Sequence, residues 1–403
     1  MSKFVTLSFD DAQKVSLSLV TKTPPTEWVA TNLSLKRVLA EDIICRKNLP
    51  SFNNAALDGF AIRHVDAGKS LVIQDTIYAG MSIEDNKLAQ NACYKIMTGA
   101  QAPCEIDTIV PFENALSYDE NSVQLPENIK KGDALRLKGE EQEVGSILLK
   151  KGELITSQTI AMLASQGITN ICVYKKISIA IFSTGDELKE PWENASQEEI
   201  YNINSSAIIS LLQEYGFEAS YCGVVPDNLE ESISYFSGMK KFDVVVTSGG
   251  ISMGEADFVE QALKTNGFIS SFHGINIKPG KPTMMGKMGE TIVCSMPGNP
   301  LAAYVNAFLF LVPVLKKLQG MTNFEHQKVL AHNEKSFKVK AGRVNIVLGK
   351  LENQKFFVHR DNKYGSGMIT PLIQSNALIV TDESISEIPS QSLITTYIYS
   401  NYL

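Results

Sequence analysis

The chain has 403 residues, of which 44% are hydrophobic and 20% are charged, and these proportions exclude a collagen-like or intrinsically disordered protein. At roughly 150 residues per domain, this length predicts about two to four domains. The chain contains 37 Lys and Arg against 44 Asp and Glu, and its net charge of −7 provides no overall basic field to hold a nucleic acid.

The cysteines and the hydropathy pattern indicate the cellular compartment in which the protein is expected. The 6 cysteines are scattered without a CxxC pair, which argues against zinc fingers and disulfide frameworks and predicts the cytoplasm. The first residues lack the pattern of a secretory signal. The apolar run 301–312 ends before Pro313 and is shorter than the ~18 residues that a membrane span needs. It therefore predicts a buried helix and no membrane association.

The sequence predicts three domains outside the central segment 176–322. Residues 1–49 and 139–175 contain several helix candidates, and we predict that they form one discontinuous mixed domain. Residues 50–138 consist of short apolar runs separated by polar turns, which predicts an inserted β-rich domain. The same pattern over 323–403 predicts a second β-rich, barrel-like domain.

Residues 176–322 alternate between apolar strands and amphipathic helices, a pattern that predicts a doubly wound, mostly parallel α/β sheet. Ligands of such sheets bind beyond the carboxyl ends of the strands, so the loops there are predicted to face one crevice. The predicted strands end at Ser183, Val225, Thr247 and Met296, and the predicted helices span 208–215, 228–239, 257–265 and 301–317.

Two loops of this crevice carry groups suited to binding ions. Residues 184–187 (TGDE) follow the first strand and offer N–H groups, a hydroxyl and two carboxylates, which suit a cation or proton transfer. The Gly-rich segment 247–254 precedes a helix, so its N–H groups predict an oxyanion cradle. Asp227 follows the second strand, where a metal ligand and a helix N-cap are both consistent with the pattern. Each loop, taken alone, is also typical of a connecting turn.

Other polar residues lie in or beside small-residue turns. The rigid PGxP turns 279–282 and 297–300 predict that Lys278 and Lys281 are held near an anionic group, although lysines exposed on a structural turn fit equally. Asp58 lies among small and apolar residues, which predicts a buried carboxylate. It is either capped by local N–H groups or a functional acid with a shifted pKa. Together the motifs indicate chemistry on a phosphorylated or nucleotide-bearing ligand.

Seven motifs occur in order along the chain: NAALDGFA, IMTGAQAP, RLKGEE, IFSTGDEL, VTSGGISMGEADF, IKPGKP and MPGNPLAA. This set resembles the molybdopterin molybdenumtransferase family, the molybdenum insertases related to the gephyrin E domain. The resemblance covers essentially the whole chain and implies an α/β domain of the molybdopterin-binding type within an elongated four-part subunit. It also implies a homodimer whose active site lies between the α/β domain of one subunit and the second, β-rich domain of the other.

The resemblance implies that adenylylated molybdopterin and molybdate give molybdenum cofactor and AMP, assisted by Mg²⁺. Catalytic roles are implied for Asp58, Glu187, Asp257, Lys278 and Lys281. Metal binding is implied for Asp227 and Asp257. Substrate binding is expected for Thr98, Gly99, Arg136, Thr184, Gly185, Ser248, Gly249, Gly250, Ser252, Pro297, Gly298 and Asn299.

Two positions depart from the family's pattern, and two other functions remain as alternatives. Glu141 and Asn202 stand where Asp is expected, so a carboxylate is displaced at one position and absent at the other. The alternatives are a molybdopterin adenylyltransferase and a non-catalytic carrier or scaffold. The three additional domains favour insertion over the first, and the complete polar set of the crevice favours it over the second. Expected partners are a second copy, a molybdopterin adenylyltransferase, and client molybdoenzymes or their chaperones, with no nucleic acid.

Overall fold

The computed structural model describes residues 6–83, 87–225, 228–250 and 258–399. The chain divides into two compact units. The larger consists of Met1–Glu41, Lys151–Ile160 and Thr169–Leu403, and the smaller of Asp42–Lys150 and Ala161–Ile168. The four-domain division, 1–49 with 139–175, 50–138, 176–322 and 323–403, stays a prediction.

The smaller unit is built on a six-stranded sheet. The order across it is Thr108–Pro111, Gly59–Ile62, Ala92–Ile96, Ser70–Ile77, Ser122–Gln124 and Ser117–Tyr118. Strand Gly59–Ile62, inside the sheet, is buried throughout, because Phe60 and Ile62 contribute to one hydrophobic core of the unit and Ala61 contributes to a second one. Two short ladders complete the unit, joining Asn54–Ala55 to Leu135–Arg136 and Ile43–Ile44 to Ile147–Leu149. The β-rich character predicted for this region is confirmed.

The larger unit begins with helix Phe9–Ser18. Ser8 caps this helix, since its Oγ accepts a hydrogen bond from the Asp11 N–H at 3.2 Å. Strand Thr26–Ala30 then pairs antiparallel with Asn170–Tyr174. Helix Ser157–Ser165 and the one-turn helix Thr31–Leu33 also lie in the first half of the chain, and the smaller unit adds the one-turn helices His64–Asp66 and Phe112–Asn114. Strands Leu188–Lys189 and Ile200–Tyr201 form a short parallel ladder.

The α/β sheet has six strands in the order Ala219–Val225, Ile179–Thr184, Val244–Ser248, Thr291–Met296, Met284–Met288 and Phe268–His273. The first four are parallel, as predicted, and the last two are antiparallel. These last two strands lack a predictive pattern, because one (MMGKM) has no β-branched residue and the other (FISSFH) has two serines at its centre. The helices around the sheet are Ile203–Glu214, Leu229–Ser237, Phe258–Thr265 and Pro300–Leu318, with a one-turn helix Gly238–Lys241.

The long helix Pro300–Leu318 continues past Pro313. A π-helical turn, Ala307–Leu311, directly precedes the proline segment. Because Pro313 has no backbone N–H, it cannot donate the usual helical hydrogen bond, and the π-helical turn allows the helix to continue without it. The carbonyl of Leu309 instead accepts from Gln13 at 3.5 Å, and the carbonyl of Phe308 lies 2.6 Å from His326 Nε2. The helix has 19 residues, close to the predicted 301–317, and by length and composition alone it is long and apolar enough to cross a membrane. However, 83% of its apolar window is buried, as in a core helix.

The C-terminal part forms a small closed barrel. Its strands follow the order Val344–Glu352, Lys355–Val358, Lys328–Asn333, Leu393–Ile398 and Ala377–Val380, and the last pairs again with the first. Short strands Phe337–Lys338 and Glu387–Ile388 form an outer ladder, and the turns His359–Asn362 and Thr370–Ile373 are helical. The β-rich, barrel-like character predicted for this region is confirmed. Strand Ile277–Lys278, which follows the α/β sheet's edge strand, joins the barrel beside Val344.

Candidate functional site

The loops at the carboxyl ends of three α/β strands meet. Thr184 Oγ1 donates to the Ser248 carbonyl at 3.3 Å, and the Gly249 N–H donates to the Met296 carbonyl at 3.1 Å. The hydroxyl of Ser248 reaches the carbonyl of Pro297 at 3.4 Å. These contacts form the common crevice edge that the strand order predicts. The loop after Val225 lies outside the described residues.

Two glycines are required by the closeness of these loops. Gly249 has φ +89°, and a Cβ there would lie 2.7 Å from Thr184 Oγ1. Gly250 has φ +63°, and a Cβ there would lie 2.5 Å from a methyl group of Val259. Any side chain would therefore meet both backbone strain and collision. An oxyanion cradle needs the loop backbone to come close to its ligand, and in this loop that is possible only with glycine at both positions.

Asn204 is a crevice residue that the sequence patterns did not reveal. It lies in the first turn of helix Ile203–Glu214, and its Nδ2 donates to Ser248 Oγ and to the Gly298 carbonyl, both at 2.7 Å. One amide thus ties the Gly-rich loop to the PGNP turn. An Asn at a helix start is usually explained by capping, so nothing in the sequence separates this role from the common one.

Asn202 has a structural role that explains its neutral side chain. It is 2% exposed, caps the helix through the Ser205 N–H at 3.3 Å, and its Oδ1 also accepts from Ser183 Oγ at 2.9 Å. Its Nδ2 donates to Glu190 at 3.1 Å and to Tyr221 OH at 3.0 Å. An Asp would place a second carboxylate against Glu190, so the amide is the residue that this environment accepts.

The two PGxP turns line one cavity of about 430 Å³. Both predicted lysines, Lys278 and Lys281, border it, together with Pro297 and Asn299. The opposite wall comes from the barrel, which contributes Lys340, Arg343 and Ser366. The barrel residues were not predicted. The alternating basic positions of KVKAGR and the serine in YGSGM were the available signals, but neither indicates which wall of the fold it joins.

The cations of this crevice are held by both domains. Lys278 pairs with Asn345 in the short ladder that joins the barrel, and the Asn299 amide donates to Ser366 Oγ at 3.1 Å. Arg343 is half-buried, and its Nε is a buried donor with no hydrogen-bond partner among the described residues. A buried guanidinium N–H without a partner favours an anionic ligand, because leaving such a donor unpaired is costly.

An adjoining cavity of about 260 Å³ extends the crevice along the barrel. Lys338 and Asn362 line it, as does Tyr364, whose pKa is raised to about 12 by burial. The preceding residues Arg360 and Asp361 have φ of 45° and 50°, a left-handed conformation that is unusual for residues with a side chain. This turn leads the chain into Ser366 at the crevice wall.

Gly280 allows the first PGxP turn to approach the long helix. A Cβ at this position would lie 1.8 Å from Asn306 Nδ2. Asn306 is fully buried and donates to the carbonyls of Ala302, at 2.7 Å, and Pro279, at 3.5 Å. The polar residue that interrupts the apolar helix therefore anchors the turn that presents Lys278 and Lys281.

Asp58 and Thr98 form a pair within the smaller unit. Asp58 Oδ1 accepts hydrogen bonds from the N–H and from Oγ1 of Thr98, each at 2.7 Å. These bonds, the hydroxyl's first, hold the pKa of Asp58 below its usual value. The prediction of a buried carboxylate was wrong, since Asp58 is exposed. Its neighbour Gly99, in the same turn, has φ +80°.

The remaining predicted residues are placed separately. Glu187 is exposed, and its carboxylate folds back to within 2.6 Å of where a Cβ of Gly185 would stand. Arg136 is exposed in the ladder opposite Asn54, and Glu141 is exposed with its N–H bonded to the Leu49 carbonyl. These contacts show no chemical role, so the predicted functions of Glu187 and Arg136 stay predictions.

Three of the predicted residues lie outside the described residues: Asp227, Ser252 and Asp257. Over the part of the chain that the structure describes, no three His, Cys, Asp or Glu side chains gather as a metal site would require. Carboxylates are suitable ligands for Mg²⁺, so Asp227 and Asp257 fit that ion by chemistry.

Comparisons with known proteins match successive segments of the chain to proteins of molybdopterin metabolism. Residues 7–167 match the MoeA N-terminal region (domain I and II), 180–317 a probable molybdopterin binding domain, and 331–390 the MoeA C-terminal region (domain IV). A molybdopterin molybdenumtransferase of Haemophilus influenzae is 30% identical over 98% of this chain and 100% of its own length. One from Staphylococcus aureus (strain COL) is 32% identical over 73% of this chain and 72% of its own.

Solved structures are similar over the same extent. The molybdopterin biosynthesis moeA protein from Pyrococcus horikoshii OT3 has a TM-score of 0.84 and 26% identity, covering 98% of this chain and 100% of that one. A second structure of a moea protein from Pyrococcus horikosii has a TM-score of 0.79 and 27% identity, covering 99% and 100%. By sequence over its full length and by fold, this chain belongs to the molybdopterin molybdenumtransferase family.

Proposed function

We propose that this chain inserts molybdenum from molybdate into adenylylated molybdopterin, releasing molybdenum cofactor and AMP. As a family member it is a transferase of molybdenum-cofactor biosynthesis. The observation that carries the specific reaction is the crevice in which Lys278, Lys281, Lys340 and Arg343 surround one cavity. The substrates in this reaction are all anions, and a wall of four cations with an unpartnered guanidinium N–H suits them.

The cations have two tasks in this proposal. They bind the molybdate dianion and the phosphates of the adenylylated pterin in the ground state. When the phosphoanhydride breaks, the departing AMP gains negative charge, which fixed lysines stabilise without rearranging. Arg343 suits binding through its planar donor set, and Lys281, exposed at the tip of its turn, suits the developing charge.

The Gly-rich loop, together with Asp58 of a second copy, would complete the proposed site. Thr184, Ser248, Gly249 and Gly250 would bind pterin phosphate through backbone N–H groups and hydroxyls. Asp58 is an exposed carboxylate with a lowered pKa, so at neutral pH it accepts hydrogen bonds rather than donating a proton. We therefore assign it to orienting substrate.

Mg²⁺, a homodimer and a cytoplasmic location are part of the same proposal. The residues that would hold Mg²⁺ are Asp227 and Asp257, beside the pyrophosphate group. When bound, the ion would neutralise charge on the phosphates as their bond breaks. The site would be completed by Asp58 and Thr98 of the second copy, as the family resemblance implies.

The test is incubation of purified protein with adenylylated molybdopterin, Mg²⁺ and molybdate, followed by measurement of AMP and reconstitution of a cofactor-free molybdoenzyme. We expect AMP release that depends on molybdate, together with active enzyme. Tight pterin binding without turnover would favour a carrier. Formation of adenylylated molybdopterin from ATP and molybdopterin, without a partner, would favour the adenylyltransferase.

A further inference from the structure

A second basic cavity lies at the end of the α/β sheet where its parallel strands begin, opposite the end that carries the crevice. It has a volume of about 230 Å³ and is formed where strands Val244–Ser248 and Thr291–Met296 begin, next to the segment that follows helix Phe9–Ser18. Its charged lining residues are Lys22, Lys240, Lys241, Lys287, Asp243 and Glu290. We call this cavity the basal lysine pocket.

The two carboxylates of the basal lysine pocket are already engaged. Asp243 accepts hydrogen bonds from the N–H and the hydroxyl of Ser178, both at 2.7 Å. Glu290 lies 2.9 Å from Lys22 Nζ, and Lys22, followed by Lys287, lowers the pKa of Glu290. Glu290 is thus ionised and neutralises Lys22, while Asp243 is directed at Ser178.

The other three lysines of the pocket are Lys240, Lys241 and Lys287. Within the described residues, no salt bridge involves Lys240, Lys241 or Lys287. Lys287 is half-buried, and its Nζ donates to Thr21 Oγ1 at 3.0 Å. The Nζ of Lys241 lies 5.3 Å from the centre of the Phe242 ring. Two of the three cations are therefore held at the cavity by packing or a hydrogen bond.

We propose that the basal lysine pocket binds a small oxyanion with two or more negative charges. Its 4 lysines and 2 carboxylates give a local charge of +2 on a chain whose net charge is −7. Like-charged lysines repel one another, and an anion between them removes that cost. The cavity is smaller than the ~300 Å³ at which sites for drug-sized ligands begin, so it suits a phosphate group or molybdate rather than a whole nucleotide.

This pocket is distinct from the crevice of the proposed reaction. The crevice lies at the carboxyl end of strand Val244–Ser248 and the pocket at its start, and five residues of strand separate the two by about 13 Å. A ligand in the pocket leaves the crevice open. The inference therefore does not depend on the proposed function.

The test is calorimetric titration of the full chain with pyrophosphate and, separately, with molybdate. The titration uses a Lys278→Gln/Arg343→Gln variant, in which anion binding to the crevice is weakened. It measures binding directly, so the variant needs no enzymatic activity. We expect one site in this background. Adding Lys240→Gln/Lys287→Gln is expected to weaken it about 10-fold, and adding Glu290→Gln, which releases Lys22, to tighten it about 2- to 5-fold. The tighter of the two anions identifies the natural class.

The matched control is Lys14→Gln, which removes an exposed lysine from helix Phe9–Ser18 outside the pocket lining and is expected to leave the titration unchanged. Glutamine keeps most of each side chain's packing, and an unchanged melting temperature verifies folding. No binding of either anion in the crevice-weakened background would overturn the proposal. So would binding that is insensitive to Lys240→Gln/Lys287→Gln, or equally sensitive to Lys14→Gln.

Discussion

Lys278 pairs with Asn345 in a two-residue parallel ladder between the first PGxP turn and the barrel. This ladder places a lysine of the α/β domain beside the strand that follows Arg343. Asn345 is 5% exposed and accepts from the Lys340 N–H at 3.4 Å, so it also holds the loop that carries the barrel's cations. The cationic crevice is thus formed by residues of both the α/β sheet region and the barrel.

Lys281→Ala is expected to abolish most AMP release without affecting folding. Lys281 is exposed, so the free energy of unfolding should change by less than about 0.5 kcal/mol. Losing a cation that stabilises developing charge should slow turnover by about 10²-fold. Turnover assays and urea unfolding measure the two effects. Lys14→Ala is the control, and normal turnover in Lys281→Ala would show that this lysine does not stabilise the developing charge.

Asp58→Asn is expected to lower turnover by a factor that does not vary with pH. The pKa of Asp58 is lowered by the hydroxyl and N–H of Thr98, so its carboxylate stays ionised at every pH above its ordinary value of 3.8. Rate–pH profiles from pH 5.5 to 9 should therefore keep their shape in the variant. A titration near pH 6 in the native protein that vanishes in Asp58→Asn would show instead that Asp58 transfers protons.

Asn202→Asp, which restores the acid expected from the family's pattern, is expected to destabilise the protein. The new carboxylate would lose the donor to Glu190 and Tyr221 and would face the charge of Glu190, at a cost of about 2 kcal/mol. Urea unfolding measures this change. Glu190→Gln in the same chain restores a donor and should recover most of the loss, whereas additive losses would show that the two side chains do not interact.

His326 should make stability depend on pH between about 6.5 and 4. Burial lowers its pKa from 6.5 to about 4, so in that range the unfolded chain binds a proton that the folded chain does not. The free energy of unfolding is therefore complete above pH 6.5 and falls as the pH drops, by up to about 3 kcal/mol. His326→Phe should flatten this slope, and an identical slope in both proteins would refute the assignment.

The parts of the fold and site that can be predicted from the sequence are those determined by neighbouring residues in the chain. The parts that cannot be predicted depend on contacts between distant segments. The parallel strands follow from runs such as IAIFST and VVVTS, whose pattern is enough to identify them, and the lysines of KPGKP follow from a rigid turn. Arg343 and Ser366 belong to the crevice only because the barrel packs against that turn. Asp58 was misjudged because small neighbours suggest burial, while its actual exposure depends on how the turn containing Thr98 folds back.

The most direct test of the account is the molybdate dependence of AMP release by the native protein and by Arg343→Gln. Arg343 supplies a buried donor of the crevice that has no partner in the part of the chain that the structure describes. The account predicts that the substitution raises the molybdate concentration needed for half-maximal release by about 10-fold or more, since an ionic hydrogen bond contributes about 1.5–3 kcal/mol. The adenylylated pterin is kept at a saturating concentration for each protein. An unchanged molybdate dependence would show that the cationic crevice is not where molybdate binds.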